Sequence, residues 1–228
     1  MGFPCRGVLA AAIIATLGSA APILAESETS MPESSGPPAG VYHLDPAHAR
    51  LIFSVNHLGF SDYTAFFTKF EAELAFDPAA PETMTLKAKV DPASVETLDS
   101  DPAYDFNAVI AGETFLDAAK FPEMTFTSTR VRVTGPGQAA VTGDLTLHGM
   151  TRPLTLRVHY NGGYAGHPLD PGGARIGFSA EGALFRSDFG IAFGIPAPGT
   201  TMGVFDLVAI RIEAEFINPD APGVQVGP

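Results

Sequence analysis

Between residues 41 and 218 the chain alternates. Phe70, Ala72, Leu74 and Phe76 fall on one set of alternate positions, and Lys69, Glu71 and Glu73 on the other. Met84, Leu86, Ala88 and Val90 oppose Thr85, Lys87 and Lys89 in the same way. So do Leu154, Leu156, Val158 and Tyr160 against Thr155, Arg157 and His159, and Val208, Ile210, Ile212, Ala214 and Phe216 against Arg211, Glu213 and Glu215. Successive side chains on a strand point to opposite faces, so this period of two predicts antiparallel strands with one buried and one wet face. Further strands are expected near 51–57, 124–133, 139–147 and 175–185. Turn residues separate them: Asp77-Pro78, Gly135-Pro136-Gly137, Gly162-Gly163 and Pro171-Gly172-Gly173. One segment breaks the period. Asp101 can cap a helix, Pro102 suits its first position and Gly112 its end, and a further short turn is expected over 114–120, stopped by Pro122. The pattern predicts an all-β fold of about eight antiparallel strands with a short helical insert near residues 101–120. A sheet of that size tends to curl and close, which removes its edges.

The ends differ from this block. Met1 to Arg6 carries one positive charge, residues 7–17 are apolar, and small residues follow up to Ala25. That is the layout of a secretory signal peptide, expected to be cut after Ala25. The run is short of the roughly 20 residues of a spanning helix, and an uncleaved anchor is the alternative. Residues 26–40 are rich in Ser, Glu and Pro and read as a disordered linker. Residues 41–218 form one domain, and 219–228 a flexible tail. The expected location is periplasmic or secreted.

Composition narrows the chemistry. Of 228 residues, 46% are hydrophobic and 17% charged, enough apolar content for a core. The net charge of −12 argues against nucleic acid, which needs clustered Lys and Arg, and against electrostatic attachment to an anionic membrane. The single cysteine, Cys5, excludes a disulfide framework and would leave with the signal. No glycine-rich phosphate loop and no HExxH occurs. Gly177-Phe178-Ser179-Ala180-Glu181 carries Glu181 where a nucleophile elbow needs its second Gly, and it lies in a strand pattern. The six His are dispersed, without i, i+2 or i, i+4 pairs. The residues therefore predict neither an enzyme nor a metal site, and no cofactor.

Several segments, in order, resemble one family. They are Asp45-Pro46-Ala47-His48-Ala49 with Phe53-Ser54-Val55-Asn56-His57-Leu58-Gly59; Phe67-Thr68-Lys69-Phe70 with Phe76-Asp77; and Ser94-Val95-Glu96-Thr97. Phe115-Leu116-Asp117 with Phe121-Pro122 and Phe126, Gly143-Asp144-Leu145-Thr146-Leu147-His148-Gly149-Met150-Thr151, and Arg186-Ser187-Asp188-Phe189-Gly190 complete the set. Together they resemble the YceI-like family of lipocalin-like, polyisoprenoid-binding periplasmic proteins. The resemblance implies an extended antiparallel barrel holding one long apolar chain, a quinone-like isoprenoid or related lipid. Two departures stand out. Phe106-Asn107-Ala108-Val109-Ile110 occupies the place of the family's Arg-Asp-x-His-Leu run, and Ala65, followed by Phe66, replaces a usual Gly. Either the mouth is more apolar than in relatives, or the cavity is narrower.

On this basis Phe53, Val55, Phe67, Phe70, Leu74, Phe126, Leu145, Leu147, Leu156, Phe178, Phe185 and Ile212 are the expected hydrophobic lining, each with plain core as its alternative. His57 and Arg186 are the expected polar contacts to a head group; the competing role for Arg186 is to pair with an acid and fix a turn. The expected partner is a polyisoprenoid or other long-chain lipid, with no nucleic acid and no stable membrane insertion; pairing into a homodimer is open. Two other functions remain: a stress-related interaction module with a filled barrel, and a redox accessory acting on a bound quinone or haem.

Overall fold

The computed structural model describes residues 36–101, 103–170 and 172–221. The expected signal peptide, residues 26–35 of the expected linker and residues 222–228 lie outside them. The strands are β1 (Gly40–Leu44), β2 (Arg50–His57), β3 (Ser61–Phe67), β4 (Phe70–Phe76), β5 (Thr85–Val90), β6 (Val95–Glu96), β7 (Met124–Gly135), β8 (Gln138–Leu147), β9 (Met150–Tyr164), β10 (Ala174–Phe185) and β11 (Val204–Asn218). One helix, α1 (Phe106–Ala111), interrupts them. Eight strands close a ring in the order β1-β4-β5-β7-β8-β9-β10-β11, and β11 pairs back to β1, every pairing antiparallel. This is the expected closed barrel.

Three of its tracks are broken, which makes the two ends unlike. β1 and β2 both run along β11, with Leu44 opposite Phe216 and Arg50 opposite Glu213. A 3-10 turn, Pro46–His48, lies between them, where the Asp45 carboxylate accepts the Ala47 N–H at 3.0 Å. β3 and β4 are split at Thr68-Lys69, and β5 and β6 by a second 3-10 turn, Pro92–Ser94, capped in the same way by Asp91. At one end β4, β5 and β7 pair continuously. At the other the ladder runs β11-β2-β3-β6 and stops, because β6 does not pair with β7. The segment containing α1 covers that opening. Ile110, Ala111, Phe115 and Leu116 pack onto Phe67, Val95 and Met124, so the helical insert seals the barrel wall with side chains rather than with a ladder.

The insert is shorter than predicted. Asp105, not Asp101, caps α1 by accepting the Ala108 N–H at 2.9 Å, while Asp101 closes only a local turn onto Ala103. The segment 114–120 forms turns rather than helix. Three strands escaped the alternation rule, among them the two-residue β6, too short to show a period. β1 is short and begins at Gly40, inside the expected linker, and in β3 the outward-facing Phe66 blurs the period. Of the expected flexible tail, residues 219–221 are described. Ala221 folds back onto Asn218 and is buried in the core.

Candidate functional site

Side chains on the inner faces do not fill the barrel evenly. A cavity of about 330 Å³ lies at the continuously paired end. Its wall is built from alternate positions on six strands: Leu74 and Phe76 of β4, Leu86 of β5, Val131 and Val133 of β7, Ala139 and Val141 of β8, Leu156, Val158 and Tyr160 of β9, and Phe178 and Ala180 of β10. Ile212, Ala214 and Phe216 of β11 close the circle. Pro78 and Pro81 from the β4–β5 turn, and Gly135, Gly137 and Gln138 from the β7–β8 hairpin, form the rim. Among the described lining residues no side chain is charged; Thr85, Gln138 and Tyr160 supply the polar side-chain atoms. Burial raises the Tyr160 hydroxyl above its ordinary range. Such a lining repels ions and attracts apolar chains, because transferring hydrocarbon out of water is favourable and transferring an unpaired charge is not.

The cavity stops at a definite layer. One step deeper along the same strands sit Phe126, Leu154, Ala88 and Ile210, which pack with the innermost lining residues Leu86, Val141, Leu156 and Ile212. Below them Phe67, Val95, Met124, Leu147, Phe189 and Ile191 form a second cluster, joined by Phe53, Leu145 and Leu184. The Phe53 and Phe67 rings meet at 5.4 Å. The cavity therefore lies in one half of the barrel, beside a packed cluster that includes Tyr42, Leu44, Ile176 and Phe216, and the other half is filled core.

The structure sorts the predicted lining residues by this division. Leu74, Leu156, Phe178 and Ile212 line the cavity. Phe70 lies against the core beside it. Phe126 is in the layer beneath, and Phe53, Phe67, Leu145 and Leu147 belong to the filled half. Val55 is half-buried near the β2–β3 hairpin. Phe185 must be corrected: it is 52% exposed, because the inward positions of β10 are the even-numbered ones and Leu184 takes that place. His57 is also exposed, paired in the ladder with Ser61 and Val204 at the filled end.

Arg186 is 5% exposed, and its hydrogen bonds go to backbone carbonyls. Its Nε donates to Phe205 O at 2.9 Å, Nη1 to Ile191 O at 3.0 Å and Nη2 to Val204 O at 2.7 Å. It braces the turn after β10 through carbonyls, not through Asp188, and does not reach the cavity. The lining residues absent from the expected set, among them Phe76, Val141, Tyr160, Ala180 and Phe216, mostly carry the correct parity. Periodicity shows that a residue faces inward, but not in which layer it lies.

A charged cluster ties the outer wall near the cavity end. Arg175 of β10 bonds Asp170 at 2.5 Å, Glu215 of β11 at 2.6 Å and Asp45 at 2.7 Å. Tyr164 also donates to Asp170. Burial opposes the Arg175 charge, but its three carboxylate hydrogen bonds outweigh burial and hold it charged. In return Arg175 holds both Asp45 and Asp170 down at about 2. Asp45, His48 and Glu215 offer ligand atoms within 4.8 Å of one another. Arg175 Nη1 already binds two of those carboxylates, so the protein's own guanidinium stands where a cation would. A shallow groove of about 540 Å³ on the outer face of β2, β9, β10 and β11 is rimmed by Arg157, Glu181 and Arg211.

A closed antiparallel barrel with an internal apolar cavity is the architecture of barrels that enclose one small ligand. The YceI-like domain profile matches residues 42–216, and the chain belongs to the YceI-like family. A UPF0312 protein of Pseudomonas savastanoi pv. phaseolicola is 38% identical over 161 residues, covering 70% of this chain and 78% of that protein. The crystal structure of Burkholderia cenocepacia BcnA is similar with a TM-score of 0.63 at 25% identity, over 75% of this chain and 98% of BcnA. A polyisoprenoid-binding domain from Saccharophagus degradans shares the fold, with a TM-score of 0.52 at 15% identity, over 78% of this chain and 98% of that domain.

Proposed function

We propose that this protein is an exported binding protein that holds the apolar chain of an isoprenoid or related lipid inside its barrel. The apolar cavity of about 330 Å³ carries the proposal. Pockets of roughly 300–1,000 Å³ suit small ligands, and each CH₂ moved from water into such a site contributes about 0.8 kcal/mol. Thr85, Gln138 and Tyr160 can hydrogen-bond an uncharged head group. The shared fold of the Saccharophagus degradans domain, which is itself described as polyisoprenoid-binding, supports the ligand class. The acidic surface supports a soluble carrier, and the N-terminal 25 residues support export to the periplasm, with fractionation by osmotic shock as the check on location. Protein purified without detergent and analysed by native mass spectrometry, followed by organic extraction, is expected to release a stoichiometric prenyl or acyl lipid. Delipidated protein that ignores prenyl and acyl lipids alike would overturn the proposal.

A further inference from the structure

We propose that the filled end of the barrel is a docking surface for an uncharged lipid bilayer, which takes the side chains of Phe60, Phe193 and Met202 into its headgroup layer. This is independent of what the cavity holds. Three segments meet at this end. The tip of the β2–β3 hairpin, Leu58-Gly59-Phe60, lies against the loop that leads into β11. The Leu58 N–H donates to Gly203 O at 2.8 Å, and a Cβ at Gly59 would stand 3.0 Å from Thr201 Cβ. The same loop sets Phe193 edge-on to Phe115, from the segment after α1, with ring centroids 5.6 Å apart. Phe60 is 83% exposed, Met202 71% and Phe193 62%. None of the three is needed to hold the loop. Phe189 and Ile191 anchor it in the core, and Arg186 ties its two feet together through the Ile191 and Val204 carbonyls. Large apolar side chains gathered in water on one surface mark a place of interaction.

The chemistry of the patch selects its occupant. The 17 residues from Phe189 to Phe205 contain no Asp, Glu, Lys or Arg, whereas 17% of the chain is charged. The loop therefore carries no charge that must stay hydrated and none that would steer a charged partner. It also stands away from the barrel, since a Cβ added at Gly194 or Gly199 would meet nothing within 4 Å. Separate protruding tips do not make the continuous, closely packed contact of a stable protein interface. A fluid bilayer closes around each tip, and aromatic side chains favour its headgroup level. Asp62, Asp188 and Asp206 flank these segments in a chain of net charge −12, so anionic lipid repels this end. What fits is a zwitterionic surface, held by buried apolar area rather than by charge, in shallow and reversible contact.

The test is co-flotation of the full-length mature protein with phosphatidylcholine vesicles. The protein is expected to float at about 1 mM lipid, equally in low and high salt, and less well when phosphatidylglycerol is mixed in. Phe60→Ser should weaken partition about tenfold and Met202→Ser about threefold. The two together should weaken it about thirtyfold. Both side chains lie mostly in solvent, so the variants should melt with the wild type. Leu169→Ser is the control. Leu169 is 88% exposed in the β9–β10 loop at the cavity end, and its loss should leave partition unchanged. Failure to float, flotation that needs anionic lipid or vanishes in high salt, or flotation untouched by the paired substitution would each overturn the proposal. So would a wild-type dimer in sedimentation that the paired substitution dissolves, without flotation, because the patch would then join two copies of this chain. Each of these outcomes leaves the lipid-extraction result standing, so the docking surface and the lipid-binding reading fail separately.

Discussion

The Phe126 ring lies so close to Gly143 that a methyl group at position 143 would stand 2.4 Å from Cζ and 2.6 Å from the Thr127 carbonyl oxygen. One contact is the tip of a side chain, but the other is backbone, which cannot swing away. Gly143→Ala is therefore expected to lower stability by about 1–3 kcal/mol, as overpacking does. Thermal denaturation followed by circular dichroism measures it. A variant that melts with the wild type would show that Phe126 is not held in this position.

Arg175 binds Asp45 across 130 residues of sequence and also joins Asp170 and Glu215. Asp45 and Asp170 are held at about 2, below the ordinary carboxylate value. Their folded pKa values lie below the unfolded ones, so their contribution is complete above about pH 5 and is lost as pH falls from about 4 towards 2. Allowing for partial exposure, that contribution is on the order of 2 kcal/mol. In Arg175→Gln three carboxylates face one another without a cation, and the slope reverses: stability should rise as pH falls from 7 to 5. Urea unfolding of both proteins across pH 3–7 tests both signs, and parallel curves would refute the pairing.

Arg186 places one guanidinium among three backbone carbonyls. Truncation strands those buried acceptors, so Arg186→Ala should cost about 3–5 kcal/mol. Lys carries the same charge but not the planar fork, and Arg186→Lys should recover less than about half of the loss. Denaturant midpoints separate this bracing role from ligand contact, since affinity per folded molecule should not change.

Ala180 lines the cavity between Val158 and Ile212 on the neighbouring strands. A larger apolar side chain there enters empty space rather than packed core. Ala180→Leu should keep stability within about 1 kcal/mol of wild type and lower prenyl- or acyl-lipid affinity at least about tenfold. Equal affinity in the variant would place the ligand elsewhere.

Some of this was legible in the chain. Alternation in Phe70–Phe76 and in the segment up to Phe216 identified strands and their inward faces, because one wet and one dry face leave no choice of pattern. The same rule misjudged Phe185, which follows the inward Leu184 and stands outside at the strand end, since hydrophobicity alone does not report parity there. It gave no sign that Arg186 turns to backbone carbonyls, because those acceptors come from residues 191, 204 and 205, whose positions depend on the closed fold. Asn107 was noted as a departure from the family's run. The structure gives it work: its side-chain oxygen accepts from the Thr97 N–H at 2.8 Å and hydroxyl at 2.6 Å, tying α1 to β6.

The sequence by itself determined the all-β class, most of the inward set of residues, the acidic balance and the family, since each depends on residue type and local period. Tertiary structure decided which inward residues surround space and which surround one another. Leu74 and Phe67 have equal claims in the sequence, yet one lines a cavity and the other fills a core. The reason is that hollowness depends on strands distant in sequence meeting at one level of the barrel. At Phe126 and Gly143 that meeting packs the layer beneath the cavity.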